Sequence, residues 1–236
     1  MRYIDKSNPL VAFDNYILEV QPKSWSKVSD SKKLDLQNHL YEEQNGLCCY
    51  CEEQLKPKGF TDNKNLTHPT HIDHIRAKGN PIYTHLTFEQ RNLVLSCMGY
   101  PLNDTPPPFV FDEKNRIKRS ETQGVTSCFC GKYKDEHPFD EKNFLFPTEF
   151  LDLHTYFIYD EGKIKPNDGV DIKKAQYTID LLNLNCNYLV EQRNIELMSF
   201  VDYEDDIIKQ YLDRSVKIYN RFYSMLRYQF SYLFAD

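Results

Sequence analysis

Cys48-Cys49-Tyr50-Cys51-Glu52, His71-Ile72-Asp73-His74-Ile75, Arg91-Asn92-Leu93-Val94-Leu95-Ser96-Cys97 and Cys128-Phe129-Cys130-Gly131-Lys132-Tyr133-Lys134 follow one another along a single stretch of this chain. Two thiol pairs bracket a compact set of His, Asp and Asn. Cys48-x-x-Cys51 comes after a glycine turn and reads as a zinc knuckle, in which the amides of a tight loop orient two thiolates on one ion. The same spacing alone also suits a redox pair. Cys49 reads as a small packed hydrophobe rather than a ligand. Residues 71–75 alternate as a strand, with His71 and Asp73 on one face and Ile72 and His74 on the other. Asp73 and His74 can then serve one cation and one water only where the strand is distorted or meets a cleft. Leu93–Cys97 reads as a second apolar strand, with Asn92 at its start either forming a turn or orienting the His74 imidazole. Cys130–Lys134 opens a short helix whose N-terminus, beside a metal, would favour a phosphate. Asp135 and His137 fall in the next turn, and His137, ahead of Pro138, reads equally as a helix stop or a ligand.

Outward from this stretch, residues 1–30 carry scattered apolar positions (Ile17, Leu18, Val20, Trp25) interrupted by Pro9 and Pro22, and read as an irregular arm with room for one short strand. Ser29-Asp30-Ser31 is set to cap a helix through Leu34, Leu36, Leu40 and Tyr41 that stops at Asn45-Gly46. Residues 55–70 have loop chemistry, and Arg76, Lys78 and Gly79 form a basic loop suited to phosphate contact. Thr105-Pro106-Pro107-Pro108 is a stiff extended segment. The charged run 112–119 reads as a solvated hairpin, with Arg116, Lys118 and Arg119 as a second option for gripping a nucleic-acid backbone. Tyr156–Tyr159 and Lys163–Lys165 flank Asp160-Glu161-Gly162 as a hairpin. Helices are expected from Asp171, from Leu189 to about Phe200, and in one long aromatic element from about Asp205 to Phe234, suited to core packing or to docking on another protein. The chain thus divides into an N-terminal arm (1–30), a core with knuckle and insertion (31–145), and a hairpin plus helical, partner-docking region (146–236).

A chain of 236 residues, 40% apolar and 27% charged, is an ordinary soluble composition able to bury one sizeable core. No apolar run reaches membrane-span length and no signal-peptide pattern opens the chain, so a cytoplasmic protein away from membranes is expected. Seven Cys, an odd number clustered near His, favour metal ligation over a disulfide framework. The net charge of -6 is awkward for phosphate binding, so basic residues must be locally concentrated or a partner must supply the surface. Aromatics at 14% fit an aromatic core or a partner surface.

Chemically, a carboxylate for a cation beside a neutral His for water is what phosphodiester hydrolysis with one divalent ion needs. Asp73-His74-Ile75, Asn92 to Cys97 and Cys130-Gly131-x-x-Lys134, preceded by Cys48-x-x-Cys51, resemble the HNH endonuclease motif with its flanking zinc cysteines. More narrowly, Cys-Tyr-Cys-Glu, the Arg-Ala-Lys after His74, Pro147-Thr148-Glu149, the Tyr-rich hairpin, and Leu181-Leu182-Asn183-Leu184-Asn185 followed by Arg193 resemble the HNH subunit (PtuB) of the Septu anti-phage systems. The resemblance spans roughly residues 33–195. It implies an α+β fold with a ββα-metal core. It also implies His74 as general base, Asp73 as ligand of a catalytic Mg²⁺ or Mn²⁺, Asn92 as holder of the His74 ring, and a structural Zn²⁺ on Cys48, Cys51, Cys97 and Cys130. Arg76, Lys78, Lys132 and Lys134 become the candidate phosphate contacts. The implied partners are a nucleic-acid substrate, an ABC/SMC-like ATPase (PtuA) and, in some loci, a retron reverse transcriptase with its RNA–DNA hybrid molecule.

Two departures stand out. The family places Asn directly after its last cysteine, where this chain has Gly131, so His71, Asp135 or His137 would have to complete the cation site. A long insertion separates Cys97 from Cys130 and leaves Cys128 as a rival fourth zinc ligand. The competing reading is a zinc-stabilised binding module without catalysis, for which Gly131 is the support and the joint presence of Asp73 and His74 the objection. A CxxC redox protein is a weaker third, because the second cysteine group lacks the fold context.

Overall fold

The computed structural model describes residues 1–56, 68–99, 110–111, 117–118, 129–135 and 137–234. Pro9 and Pro22 bound a helix instead of preventing one. Helix α1 (Val11–Val20) begins just after Pro9 and ends at Gln21, whose left-handed backbone (φ 47°) lets its N–H donate to Ile17 O at 3.0 Å. Pro22 follows, where a helix has already stopped. Residues 1–30 are therefore not an irregular arm. They hold α1 and a 3₁₀ turn at Trp25–Lys27, because proline breaks a helix only from within it. Phe13 is fully buried and packs near Trp25. Gln90 sews α1 to the core, accepting from Leu10 N at 2.8 Å and donating to Asp14 Oδ1 at 2.7 Å.

Helix α2 (Asp30–Glu43) is capped as expected, with the Ser29 side chain accepting from Lys32 N, and it buries Leu36, Gln37 and Leu40. It delivers the chain through Asn45-Gly46, both at positive φ, into the cysteine knuckle. Strands β1 (Leu55–Lys56), β2 (His68–His74) and β3 (Leu93–Cys97) form a sheet in that order. β1 is a short strand inside the segment expected to be loop; residues 57–67 lie outside the described residues. β1 runs parallel to β2, and β2 is antiparallel to β3 with His71 opposite Ser96, Asp73 opposite Val94 and His74 opposite Leu93. Every β3 residue is buried. The backbone of β4 (Val110–Phe111) pairs antiparallel with β5 (Ile117–Lys118), as a hairpin reading of the charged run requires. The proline run, residues 112–116, Arg119 and Cys128 lie outside the described residues. Helix α3 (Cys130–Lys134) then lies on β3 and completes a ββα unit.

The remainder wraps this unit. β6 (Phe157–Asp160) and β7 (Lys163–Pro166) form the expected hairpin, with Glu161 (φ 47°) and Gly162 (φ 74°) making its left-handed two-residue turn. Helix α4 (Ile172–Leu181), capped by Asp171, packs on β7 and α3, and α5 (Asn187–Met198) follows. The single long terminal helix does not exist. It is broken into α6 (Asp205–Tyr211), α7 (Tyr223–Gln229) and a 3₁₀ turn at Ser231–Phe234. Between α6 and α7 the backbone bonds the knuckle instead, Tyr219 N to Asn45 O at 2.9 Å and Phe222 N to Glu52 O at 2.8 Å. These long-range bonds replace the ones helix continuity would have made. The buried apolar residues form one cluster drawn from the N-terminal segment, the sheet and the C-terminal helices. No helix among the described residues is long and apolar enough to cross a membrane.

Arg193 anchors the hairpin to α5. It is 1% exposed, makes no ion pair among the described residues, and donates through Nη1 to Leu184 O at 2.7 Å and Gly162 O at 3.1 Å. Arg193→Ala would orphan two buried carbonyls and open a cavity, so urea denaturation should show a loss of about 3–5 kcal/mol.

Candidate functional site

The knuckle is shaped by backbone bonds. Glu52 adopts φ 62°, Cys48 N donates to Glu53 O at 2.8 Å, and Cys49 N donates to Leu95 O at 3.1 Å, locking the loop to β3. Cys97 at the end of β3 donates its own N–H to Cys48 Sγ at 3.3 Å. Cys130 opens α3 with φ 58°, a left-handed conformation costing a non-glycine residue about 1–3 kcal/mol, and its N–H is held by Leu182 O at 2.8 Å. The outcome is that the sulfurs of Cys48, Cys51, Cys97 and Cys130, all buried, lie within 4.8 Å of one another. Among the described residues this is the one set of three or more potential ligands so gathered. Cys51 and Cys97 sulfurs are 3.7 Å apart, those of Cys48 and Cys130 3.9 Å. A tetrahedral zinc with bonds of ~2.3 Å sets sulfur–sulfur edges of about 3.8 Å, so the donor set fits the ion. Burial pushes the thiols of Cys51 and Cys130 well up and that of Cys97 to about 11. Burial also opposes ionisation of Cys48, but hydrogen bonds from the surrounding thiols, Cys130 first, hold it well below the ordinary value. Cys49 is buried outside the set.

Beside this centre β2 ends at Asp73-His74, and both line a cleft of about 350 Å³ together with Lys78, Lys134, Asp135 and His137. Asp73 is 5% exposed, accepts from the buried Tyr50 hydroxyl at 2.7 Å through Oδ2, and pairs there with Lys134 Nζ at 3.2 Å. Burial raises the cost of its charge, yet the Lys134 and His71 charges and the Tyr50 bond bring its carboxyl below the usual range. Gly131 is what allows α3 to come so near: a Cβ there would sit 2.9 Å from Asp73 Oδ2.

His74 is held differently. Its Nε2 lies 3.0 Å from Thr87 O, and Trp25 meets the ring edge-on at 4.8 Å. A carbonyl only accepts, so Nε2 carries the proton and Nδ1 presents a lone pair. Nδ1 is buried without a partner. Burial, aided by the Lys78 charge, lowers the imidazole to about 4, so the ring is neutral near pH 7.

Several sequence-based expectations change here. Asn92 does not hold the His74 ring; Thr87 does. The Asn92 amide clips the loop after β2, accepting from Arg76 N at 2.8 Å and donating to Arg76 O and Leu86 O. Arg76 is not a free phosphate contact, because its guanidinium pairs with Glu141 at 2.7 Å and Glu149 at 2.6 Å and lies over Phe146. Lys134 is 3% exposed and donates to His74 O at 3.0 Å and Ile75 O at 3.2 Å, so its charge serves the site from inside. Lys78, at the lip, and Lys132, on α3, make no ion pair among the described residues and remain available. The N-terminus of α3 offers no phosphate site: the helix has five residues, and Gly131 N is turned to Ser96 Oγ. Asp135 lines the cleft with Oδ1 3.6 Å from Lys134 Nζ, and burial, then the Asp73 charge, raises its carboxyl. His137 Nδ1 bonds Tyr133 O at 2.7 Å and stacks on that ring. His71 shares the Asp73 face of β2, with a buried, unpartnered Nδ1, outside the cleft lining. Thr87 carries no motif signal of its own and Trp25 reads only as an apolar position, whereas Tyr50 sits inside Cys-x-x-Cys and Glu149 inside Pro147-Thr148-Glu149.

Mg²⁺ keeps several waters and takes one or two carboxylates plus substrate phosphate rather than a closed cage. Two carboxylates lining one open cleft, Asp73 and Asp135, match that ligand requirement, with the Lys134 ammonium between them opposing a further positive charge.

No family model matches the chain. A protein of Escherichia coli named as a candidate HNH endonuclease of retron Ec83 is 27% identical over 188 residues, covering 70% of this chain and 65% of that relative. The chain thus spans less than two thirds of the length of the curated relative it matches. The likeness supports an HNH endonuclease family for an α+β chain bearing a four-cysteine group.

Metal analysis of the purified protein should find one zinc per chain, and Cys97→Ser should lower zinc content and abolish a cooperative thermal transition. Gly131→Ala should destabilise by about 1–3 kcal/mol in denaturant titration, because Asp73 is tied and cannot retreat freely.

Proposed function

We propose that this chain is a metal-dependent HNH endonuclease that hydrolyses phosphodiester bonds in DNA or transfer RNA. It would act as the effector of an anti-phage complex with a PtuA-type ABC/SMC-like ATPase, in a retron setting with reverse transcriptase and its RNA–DNA hybrid. The observation that carries the chemistry is the His74 imidazole, with its proton placed on Nε2 by Thr87 O and an unpartnered Nδ1 lone pair, on a residue that lines the cleft with Asp73. The retron setting and the partners rest on the relative's name and on the motif resemblance alone.

His74 Nδ1 takes a proton from water as the water oxygen bonds phosphorus, and the bond to the 3′-oxygen breaks. The leaving oxygen regains its proton from solvent. Thr87 O stabilises the imidazolium that forms by accepting from Nε2, and Trp25 fixes the ring plane. Lys78 at the lip draws the phosphate in. Lys134 keeps Asp73 ionised, and Tyr50 fixes its rotamer. Asp73, with Asp135 the better placed of the candidate second ligands, would hold Mg²⁺ or Mn²⁺, which supplies Lewis-acid stabilisation of charge on the phosphate and leaving oxygen. Cys48, Cys51, Cys97 and Cys130 would hold the zinc that fixes α3.

DNA and transfer-RNA pools should be incubated with Mg²⁺ or Mn²⁺, with and without the ATPase partner. Wild type should cut at least one pool, and His74→Ala should cut at least 100-fold more slowly while keeping its zinc. Equal cutting by both proteins would sink the His74 assignment. Absence of cutting by wild type, partner included, would favour the binding-module reading.

A further inference from the structure

A second pocket, of about 600 Å³, opens among the N-terminal segment, β6, the 212–222 segment and α7, and it shares no lining residue with the cleft at Asp73–His74. Its walls bring together Arg2, Arg214 and Arg227. None of these pairs with a carboxylate among the described residues, although acidic side chains outnumber Lys and Arg by 35 to 29 in the chain. Two arginines outside the pocket are matched: Arg76 has Glu141 and Glu149, and Arg221 has Glu53. In the pocket the guanidiniums lie on rings instead, Arg2 over Tyr219 at 5.1 Å and Arg227 over Phe234 at 3.5 Å. Tyr219 is itself stacked on Tyr223 at 4.1 Å, which fixes the Arg2 platform. His154, also in the wall, is lowered first by burial and then by the Arg214 charge, with Asp152 and Glu52 acting in the opposite direction.

The aromatic walls are not all occupied. Tyr228 is 42% exposed and makes only a tilted contact with Tyr159, and it lines the pocket along with Tyr3. Arginine forks recognise phosphate, and free tyrosine faces stack bases. A volume of this size suits a ligand of several hundred daltons, whereas a bare inorganic anion would leave most of it empty.

We propose that this pocket binds a phosphorylated nucleoside, with the phosphate held between Arg214 and Arg227 and the base laid against Tyr228. The nucleotide is either free or one unit of a single strand. The assignment does not depend on the nuclease reading.

The test is fluorescence anisotropy of the zinc-loaded chain with a labelled, 5′-phosphorylated tetrathymidylate. Wild type and His74→Ala should bind it equally. Arg214→Ala/Arg227→Ala should bind at least tenfold more weakly, and Tyr228→Ala about fivefold, each with an unchanged thermal transition. Arg214 is exposed, so Arg214→Glu provides a second variant that leaves the fold intact. Displacement by adenosine monophosphate as effective as by unlabelled strand would identify a free nucleotide, and displacement by strand alone a segment of nucleic acid. The proposal is overturned if wild type does not bind, if the arginine variants bind like wild type, or if phosphate or a glutamate-rich peptide displaces the probe as well as nucleotides do. Cleavage lost with this binding retained would sink only the nuclease reading, and the reverse would sink only the pocket.

Discussion

Four thiols drawn from the knuckle, the end of β3 and the start of α3 converge in the interior, and the geometry of the cleft hangs on that convergence. Apparent binding free energies of structural zinc are about 10–16 kcal/mol, comparable to the whole net stability of a domain at about 5–15 kcal/mol. The left-handed strain at Cys130, a few kcal/mol at most, is small against that gain. A zinc held there would not need to touch substrate to matter. It would seat α3 on β3, and α3 brings the Gly131 backbone and the Lys134 ammonium to Asp73.

That second contact has its own logic. A buried carboxylate left alone would protonate. Lys134 and Tyr50 keep it charged and pointed, while the remaining donors of Lys134 tie the His74 and Ile75 carbonyls. One ammonium thus fixes both the carboxylate and the strand end that carries His74. Gly131 is the counterpart of this arrangement. With no side chain there, the helix backbone packs directly on Asp73, where an Asn side chain would compete for the same space.

The parts of this site legible in the sequence are those with short-range signals. Cys-x-x-Cys, the alternation around Asp73, the Asp160-Glu161-Gly162 turn and the Ser29 cap each encode their geometry within a few residues. What escaped depends on which distant group arrives. Arg76 and Lys134 look like surface cations until Glu149 and Asp73 are brought to them, and Asn92 looks like a ring holder until Thr87 O takes that position. The terminal aromatic run has helical spacing throughout, yet the knuckle carbonyls of Asn45 and Glu52 capture its middle. Local pattern cannot report a competing partner that is more than a hundred residues away.

The acidic balance of the chain is resolved by distribution rather than by total. Much of the positive charge is spent on structure: Lys6 on Glu43 and the Leu93 carbonyl, Arg76 on two glutamates, Arg193 on two carbonyls, Arg221 on Glu53. The cations that remain without carboxylates include Lys78 at the lip of the cleft and the arginines of the aromatic pocket. Phosphate attraction falls off within about a Debye length of ~8–10 Å, so what a polyanion meets is the local arrangement rather than the net charge. A net charge of -6 is therefore compatible with phosphate engagement at chosen points, because the charges that matter are those within that distance.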